Sequence, residues 1–398
     1  MNTQEIINLT GKYITNTYNR FPIVITKGKG CKVWDVDGKE YLDFVAGLAV
    51  CNLGHCHPKV VKAIQEQAER LIHISNLYYI EPQARLAELL CKNSFAQKAF
   101  FCNSGAEANE AAIKLTRKYF KDKGENRFQI ITMEQSFHGR TMATLAATGQ
   151  RKFQQGFEPL LEKFIYVPFD NVGAVADAIT SQTAAVMVEP IQGEGGVNIP
   201  SDNYLKELKA LCKGNDLLLM FDEVQVGMGR TGKLFAYEHY DVTPDIMTLA
   251  KGLAGGVAIG AMLATDEVAK SFVPGTHAST FGGNPLATAA GIAALKAVLE
   301  EGMLENCRKV GNYLIKRLEG LKAGYSFIKE VRGKGLIIGM ELNISGADIV
   351  KGCMERGVLI NCTSDKILRF IPPLVVTEKE VDKMMGILSS VLKTVKAG

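Results

Sequence analysis

The chain has 398 residues, 47% hydrophobic and 22% charged, with 46 basic against 42 acidic side chains and a formal net charge of +4. That is globular composition with length enough for a large core, and with no long basic run nothing points to nucleic acid as a partner. No stretch approaches the roughly eighteen apolar residues of a membrane span. The first residues lack the apolar segment of a signal peptide, so the expected compartment is the cytoplasm.

In chain order, residues 22–45 read as strands. Val33-Trp34-Asp35-Val36 and Tyr41-Leu42-Asp43-Phe44 flank an Asp37-Gly38 turn, a hairpin signal. The run Cys51-Asn52-Leu53-Gly54-His55-Cys56-His57 carries metal-type ligands. No second ligand pair stands at a zinc spacing, so no metal is expected. The nine cysteines, odd in number and irregularly spaced, read as free thiols. From residue 58 the pattern turns helical: Val60, Val61, Ile64, Ala68, Leu71 and Ile72 recur at three- and four-residue spacing, and Leu86, Leu89 and Leu90 mark the next helix.

Short apolar runs then stand at 98–102, 128–133, 184–188, 216–221, 245–249 and 258–264, with helical segments at 105–121, 140–148 and 202–213 between several of them. This alternation predicts an α/β fold, a largely parallel sheet covered by helices on both faces. Beyond it come a long helical segment over 284–322, strand-like 336–342 and 357–361, and a C-terminal helix near 377–396. The expected division is a large domain at 50–295 and a smaller α+β domain, discontinuous, at 1–49 and 296–398.

In such sheets ligands sit at the carboxyl ends of strands, and the residues there carry chemistry. Phe100-Phe101-Cys102 leads into Asn103-Ser104-Gly105-Ala106, a tight turn before an alanine-rich helix. Its free amides suit a phosphate, or the segment is simply a helix start capped by Ser104. The next end carries Phe137, able to stack on a flat ring, and Arg140, able to fork onto a carboxylate. Glu194 stands in a glycine-rich loop, where it could pair with an arginine. Asp222 directly follows five apolar residues, so it should be partly buried and need a cation, a hydrogen-bonded ring nitrogen or a metal. Gly227-Met228-Gly229-Arg230-Thr231-Gly232 matches G-x-G-x-x-G, but no helix begins at its glycines, which argues against a dinucleotide site. Lys251 ends the apolar run 245–249 and enters a glycine-rich turn. A lysine in a desolvated pocket loses proton affinity and attacks aldehydes. A phosphate cradle, a stacking aromatic, a buried carboxylate and a strand-end lysine together are what pyridoxal phosphate requires.

At this point the chain resembles a known family. Asn103-Ser-Gly-Ala-Glu-Ala-Asn-Glu110, Ser136-Phe-His-Gly-Arg-Thr141, Glu189-Pro-Ile-Gln-Gly-Glu194, Phe221-Asp-Glu-Val-Gln225, Leu249-Ala-Lys-Gly252 and Ser279-Thr-Phe-Gly-Gly-Asn-Pro-Leu286 look like the motifs of class III aminotransferases, in the family's order. Val50-Cys-Asn-Leu-Gly-His-Cys-His-Pro58, Ser75-Asn-Leu-Tyr-Tyr79 and Leu368-Arg-Phe-Ile-Pro-Pro373 look closest to those members that move the δ-amino group of N-acetylornithine to 2-oxoglutarate. Relatives acting on ornithine, succinylated diamines or 4-aminobutyrate are the alternatives.

The resemblance implies a fold-type I enzyme with a mostly parallel seven-stranded sheet, dependent on pyridoxal phosphate, and a homodimer with its active site at the subunit interface. It implies that Lys251 holds the cofactor covalently through its aldehyde and Asp222 keeps the ring nitrogen protonated. Phe137 and Val224 would sandwich the ring, and Gln225 would bond its phenolic oxygen. Ser104, Gly105 and Ala106 would hold the phosphate, helped by Thr280 from the other subunit. Arg369 would bind the α-carboxylate of glutamate or 2-oxoglutarate, Arg140 with Tyr18 the distal carboxylate, and Glu194 would neutralise Arg369 when an ω-amine donor has no carboxylate beside its reacting carbon. Leu48 stands where ornithine-specific relatives carry a tyrosine.

Overall fold

The structure is a computed structural model and describes residues 1–395. Three short strands open the sheet architecture: β1 (Ile25–Lys29), β2 (Lys32–Asp35) and β3 (Glu40–Asp43), joined as an antiparallel meander. The β2–β3 turn falls at Asp37-Gly38 as the sequence indicates. Asp35 Oδ1 accepts the amides of Asp37 and Lys39 at 3.1 and 2.8 Å, which closes it.

The large sheet follows, built from β4 (Lys98–Cys102), β5 (Gln129–Met133), β6 (Phe164–Val167), β7 (Thr183–Val188), β8 (Leu218–Asp222), β9 (Ile246–Leu249) and β10 (Gly260–Ala264). The order is β4-β10-β9-β8-β7-β5-β6; β10 runs antiparallel to both neighbours and the other pairs are parallel. Every residue of β5, β7, β8, β9 and β10 is buried. That is why these strands read as continuous apolar runs rather than alternating ones. Edge strand β6, Phe164-Ile165-Tyr166-Val167, is apolar too but mixed in burial, and it is absent from the runs expected from the sequence.

The remaining strands are β11 (Ile328–Lys334), β12 (Ile337–Leu342), β13 (Val358–Leu359), β14 (Asn361–Thr363) and β15 (Ile367–Phe370). An antiparallel sheet runs β11-β12-β15-β14, while β13 joins β3 in parallel, so N- and C-terminal segments share a sheet. The strand-like stretch 357–361 is thus two strands in two different sheets. The segment 284–322 is also two elements, helices Pro285–Glu300 and Met303–Glu319, because Gly302 takes φ 71° between them. An N-terminal helix, Thr3–Tyr13, absent from the elements expected from the sequence, has no buried residue. The C-terminal helix Glu378–Leu392 starts at a Thr377–Glu380 capping box; residue 396 of the segment expected there lies outside the described residues. No helix among the described residues is long and apolar enough to cross a membrane.

Candidate active site

The carboxyl ends of β4, β5, β7, β8 and β9 open on one cavity of about 480 Å³. Ten of the residues singled out from the sequence line it: Ser104, Gly105, Ala106, Phe137, Arg140, Glu194, Asp222, Val224, Gln225 and Lys251. Arg369, on β15, is fully buried and reaches the lining through hydrogen bonds. Tyr18 and Thr280 are exposed and outside the lining.

Ser104 caps the helix Gly105–Asp122, its Oγ accepting the Glu107 amide at 3.2 Å. The Glu107 carboxylate folds back onto the Asn103 amide at 3.0 Å. The first-turn amides beyond the cap have no helical acceptor and point their positive dipole end at the cavity. Gly105 is required there: a Cβ would lie 2.7 Å from Val224 Cγ1.

Asp222 is buried at the end of β8 and its two oxygens are held by separate donors. Oδ2 takes His138 Nδ1 at 2.7 Å and Asn109 Nδ2 at 2.8 Å; Oδ1 takes the Val224 amide at 3.0 Å. Asn109 is itself oriented by Thr248 Oγ1, which donates to its Oδ1 at 2.6 Å. Neighbouring Glu223 turns away from the cavity. Its oxygens accept the Ala236 and Tyr237 amides at 2.6 and 2.7 Å, and burial pushes its carboxyl up to about 8. Of the two adjacent acids, only Asp222 faces the cavity.

Lys251 has φ 41°, a backbone conformation that L residues rarely adopt. Burial lowers its proton affinity, against the opposing pull of Glu194 and with the help of Arg369, and the net shift is downward. Glu194 moves down as well. Burial pushes it up, but the charges of Arg369 and Lys251 and the hydrogen bonds from Arg369 and Gln225 outweigh that. Arg369 Nη1 donates to Glu194 Oε1 at 2.9 Å and Gln225 Oε1 at 3.1 Å, and Nε to Asn361 Oδ1 at 3.3 Å. Its Nη2 is buried with no partner, a donor aimed at nothing in the chain itself. Arg140 lies over the Phe153 ring at 4.1 Å and the Phe137 ring at 5.7 Å.

Residues that the sequence did not single out complete the site. Glu189 lines the cavity, its Oε2 accepting the Phe137 amide at 3.0 Å, and burial pushes its carboxyl up. The G-x-G-x-x-G stretch does not open a helix: the Gly227–Gly232 loop is followed by a short 3-10 turn, Ala236–His239.

The Aminotransferase class-III family profile matches residues 13–392. The chain belongs to the class-III aminotransferases. An acetylornithine aminotransferase of Methanocaldococcus jannaschii is 53% identical over 397 residues, covering 100% of both chains. Among solved structures, an ornithine aminotransferase from Toxoplasma gondii superposes with a TM-score of 0.95 at 35% identity, over 99% of this chain and 95% of that one. An acetylornithine aminotransferase from Elizabethkingia anophelis gives 0.89 at 35% identity, over 99% of this chain and 100% of that one.

As a class-III aminotransferase the protein is a pyridoxal-phosphate-dependent transaminase. When bound, that cofactor supplies an electron sink for the carbon bearing the amino group. The residues present fit it. A lysine of lowered proton affinity, a buried carboxylate fixed by three donors and a helix N-terminus with free amides share one cavity.

Proposed function

We propose that the protein transfers the δ-amino group of N2-acetyl-L-ornithine to 2-oxoglutarate, giving N-acetyl-L-glutamate 5-semialdehyde and L-glutamate, a step of arginine biosynthesis. The observation that carries this reading is the buried Arg369 with its unpartnered Nη2, held behind the cavity by Glu194 and Gln225, which line it together with Lys251. An arginine beside the reacting lysine suits a substrate with a carboxylate next to its amino or oxo carbon. A carboxylate on that arginine suits a donor with none. Relatives named acetylornithine aminotransferase at 48–54% identity over nearly the whole chain support the acetylated donor.

In this reading Lys251 Nζ would hold the cofactor's aldehyde and move the proton at the reacting carbon. Asp222 would keep the ring nitrogen protonated, Phe137 and Val224 would pack against the ring, and Gln225 would bond its phenolic oxygen. Ser104, Gly105 and Ala106 would hold the phosphate. Arg140 with Tyr18 takes the distal carboxylate of the dicarboxylic substrates.

Thr280 of the partner subunit would complete the phosphate site in a homodimer. Support for that assembly comes from the surface around Thr280. Asn76 Nδ2 donates to the carbonyls of Ser279 and Gly282, tying two segments that expose Leu77, Tyr78, Tyr79 and Phe281 together; apolar groups so exposed mark a contact surface. The division into a domain at 50–295 and a discontinuous one at 1–49 and 296–398 is part of the proposal, supported by the β3–β13 pairing. The test is a donor panel assayed with 2-oxoglutarate: acetylornithine should give the highest kcat/KM, and a better rate with ornithine or 4-aminobutyrate would overturn the substrate assignment.

A further inference from the structure

Arg230, in the glycine-rich loop that resembled a dinucleotide fingerprint, is fully buried and forms no ion pair among the described residues. Burial lowers its pKa to about 10, so it remains a cation at neutral pH. Its two Nη atoms donate to oxygens from three separate segments, while Nε is buried without a partner. Nη1 donates to the carbonyls of Leu336, at 3.0 Å, and Pro372; Nη2 donates to Asn52 Oδ1 at 2.6 Å. Asn52 closes the junction, its Nδ2 donating to the Met228 carbonyl at 3.0 Å and its own carbonyl accepting the Leu374 amide at 2.7 Å. Asn52 also packs on the turn after the lysine, since a Cβ at Gly252 would lie 2.4 Å from its Nδ2.

We propose that Arg230 is a positioning residue that sets the register between the two halves of the active site, Asp222–Gln225 with Lys251 on one side and Arg369 on the other. Arg230 lies five residues after Gln225, and Pro372 three residues after Arg369, just beyond β15. The Arg230 fork therefore fixes, from behind, the distance that the Arg369–Gln225 hydrogen bond spans at the cavity. A neutral amide has too few donors for three acceptors, and each buried acceptor left bare is costly. A buried cation without an anion is itself unfavourable, a local cost of the kind that proteins keep where a site needs the geometry.

The inference rests on the reading of Arg369 as the α-carboxylate group's binder, and the test separates the two. In the holoenzyme, glutarate, an unreactive dicarboxylate, is titrated calorimetrically into Arg230→Gln, Arg230→Lys, Asn52→Ala and Arg369→Gln, and KM is measured for 2-oxoglutarate and acetylornithine. Arg230→Gln should weaken glutarate and raise the 2-oxoglutarate KM by about tenfold or more, with Arg230→Lys in between, while the acetylornithine KM moves by less than about twofold. A folded Arg230→Gln that binds glutarate like the wild type, or whose two KM values rise together, overturns the proposal. If Arg230→Gln does not fold, Asn52→Ala decides: weakening by about threefold or more supports the proposal, and wild-type affinity overturns it. If Arg369→Gln binds glutarate normally, the carboxylate reading falls and this inference with it. If Arg369→Gln loses binding but Arg230→Gln keeps it, only this inference falls.

Discussion

His138 Nδ1 lies 2.7 Å from Asp222 Oδ2, with both side chains sealed from solvent. With Asn109 on the same oxygen and the Val224 amide on the other, the carboxylate has one orientation. Asp222→Asn keeps the shape and removes the charge, so a ring nitrogen opposite it loses the anion that holds its proton. We expect kcat to fall by about two to three orders of magnitude or more, the scale of a lost electrostatic contact in a preorganised site. A near-normal rate in Asp222→Asn would show the carboxylate to be structural.

Lys251 combines a left-handed φ with lowered proton affinity, which favours the free amine that reacts with aldehydes. Borohydride treatment of the holoenzyme should fix the cofactor on Lys251. Lys251→Ala should lose turnover yet still bind the cofactor non-covalently. Peptide mapping that finds the reduced label on another lysine would remove this assignment.

The strand ends were legible in the sequence because each buried strand is an apolar run that stops at a polar residue, as Phe221 does at Asp222. What was hidden depends on partners distant in the chain. Nothing local says that His138 and Asn109 meet on Asp222, or that Glu189 holds the Phe137 amide. Nor does the sequence say which of Asp222 and Glu223 faces inward; the Ala236 and Tyr237 amides decide it. Arg369 came from the family resemblance alone, since its strand, Ile367–Phe370, has no apolar run long enough to stand out. Tyr18 and Thr280 came from the family resemblance as well, and both are exposed and lie outside the single-chain cavity.

Glu194, which lines the cavity, meets the buried Arg369 at 2.9 Å. Glu194→Ala leaves the guanidinium without its anion whenever the donor has no carboxylate beside its reacting carbon, as at the δ-carbon of acetylornithine, and an unpaired buried charge is costly. The kcat/KM for acetylornithine should fall by about tenfold or more, while that for glutamate, which supplies its own carboxylate, is kept or improved. Equal losses for both substrates would show that Glu194 does not act as a replaceable partner.

His55 Nε2 lies 2.7 Å from Asp43 Oδ2, and the hydrogen bond to Asp43, followed by one to Cys51, raises the imidazole to about 10. An unfolded histidine titrates near pH ~6.5. The contribution to stability is therefore complete below about pH 6.5 and is lost as pH rises toward 10. Hydrogen bonds to charged groups contribute about 1.5–3 kcal/mol. Thermal melts of wild type and His55→Gln should differ most below that window and converge across it. A gap that stays constant with pH would mean the imidazole is not charged in the fold.

The choice of amine donor turns on Leu48. It has φ 64° and is 43% exposed in the single chain, two positions before Val50, which lines the cavity. Its aliphatic side chain offers no hydrogen bond, whereas the tyrosine of ornithine-specific relatives has a hydroxyl that could meet a free α-amino group. A charged ammonium entering there would lose water without gaining a partner, at greater cost than a neutral amide whose methyl can pack. Acetylornithine should therefore be preferred over ornithine by about tenfold or more in kcat/KM, about 1.4 kcal/mol in transition-state stabilisation. Leu48→Tyr should narrow the gap, and because Leu48 already holds a positive φ the exchange adds little new backbone strain. The measurement is kcat/KM for both donors at saturating 2-oxoglutarate, in wild type and variant. Equal values in the wild type, or a preference for ornithine, would leave the transaminase assignment standing and remove the acetylated donor.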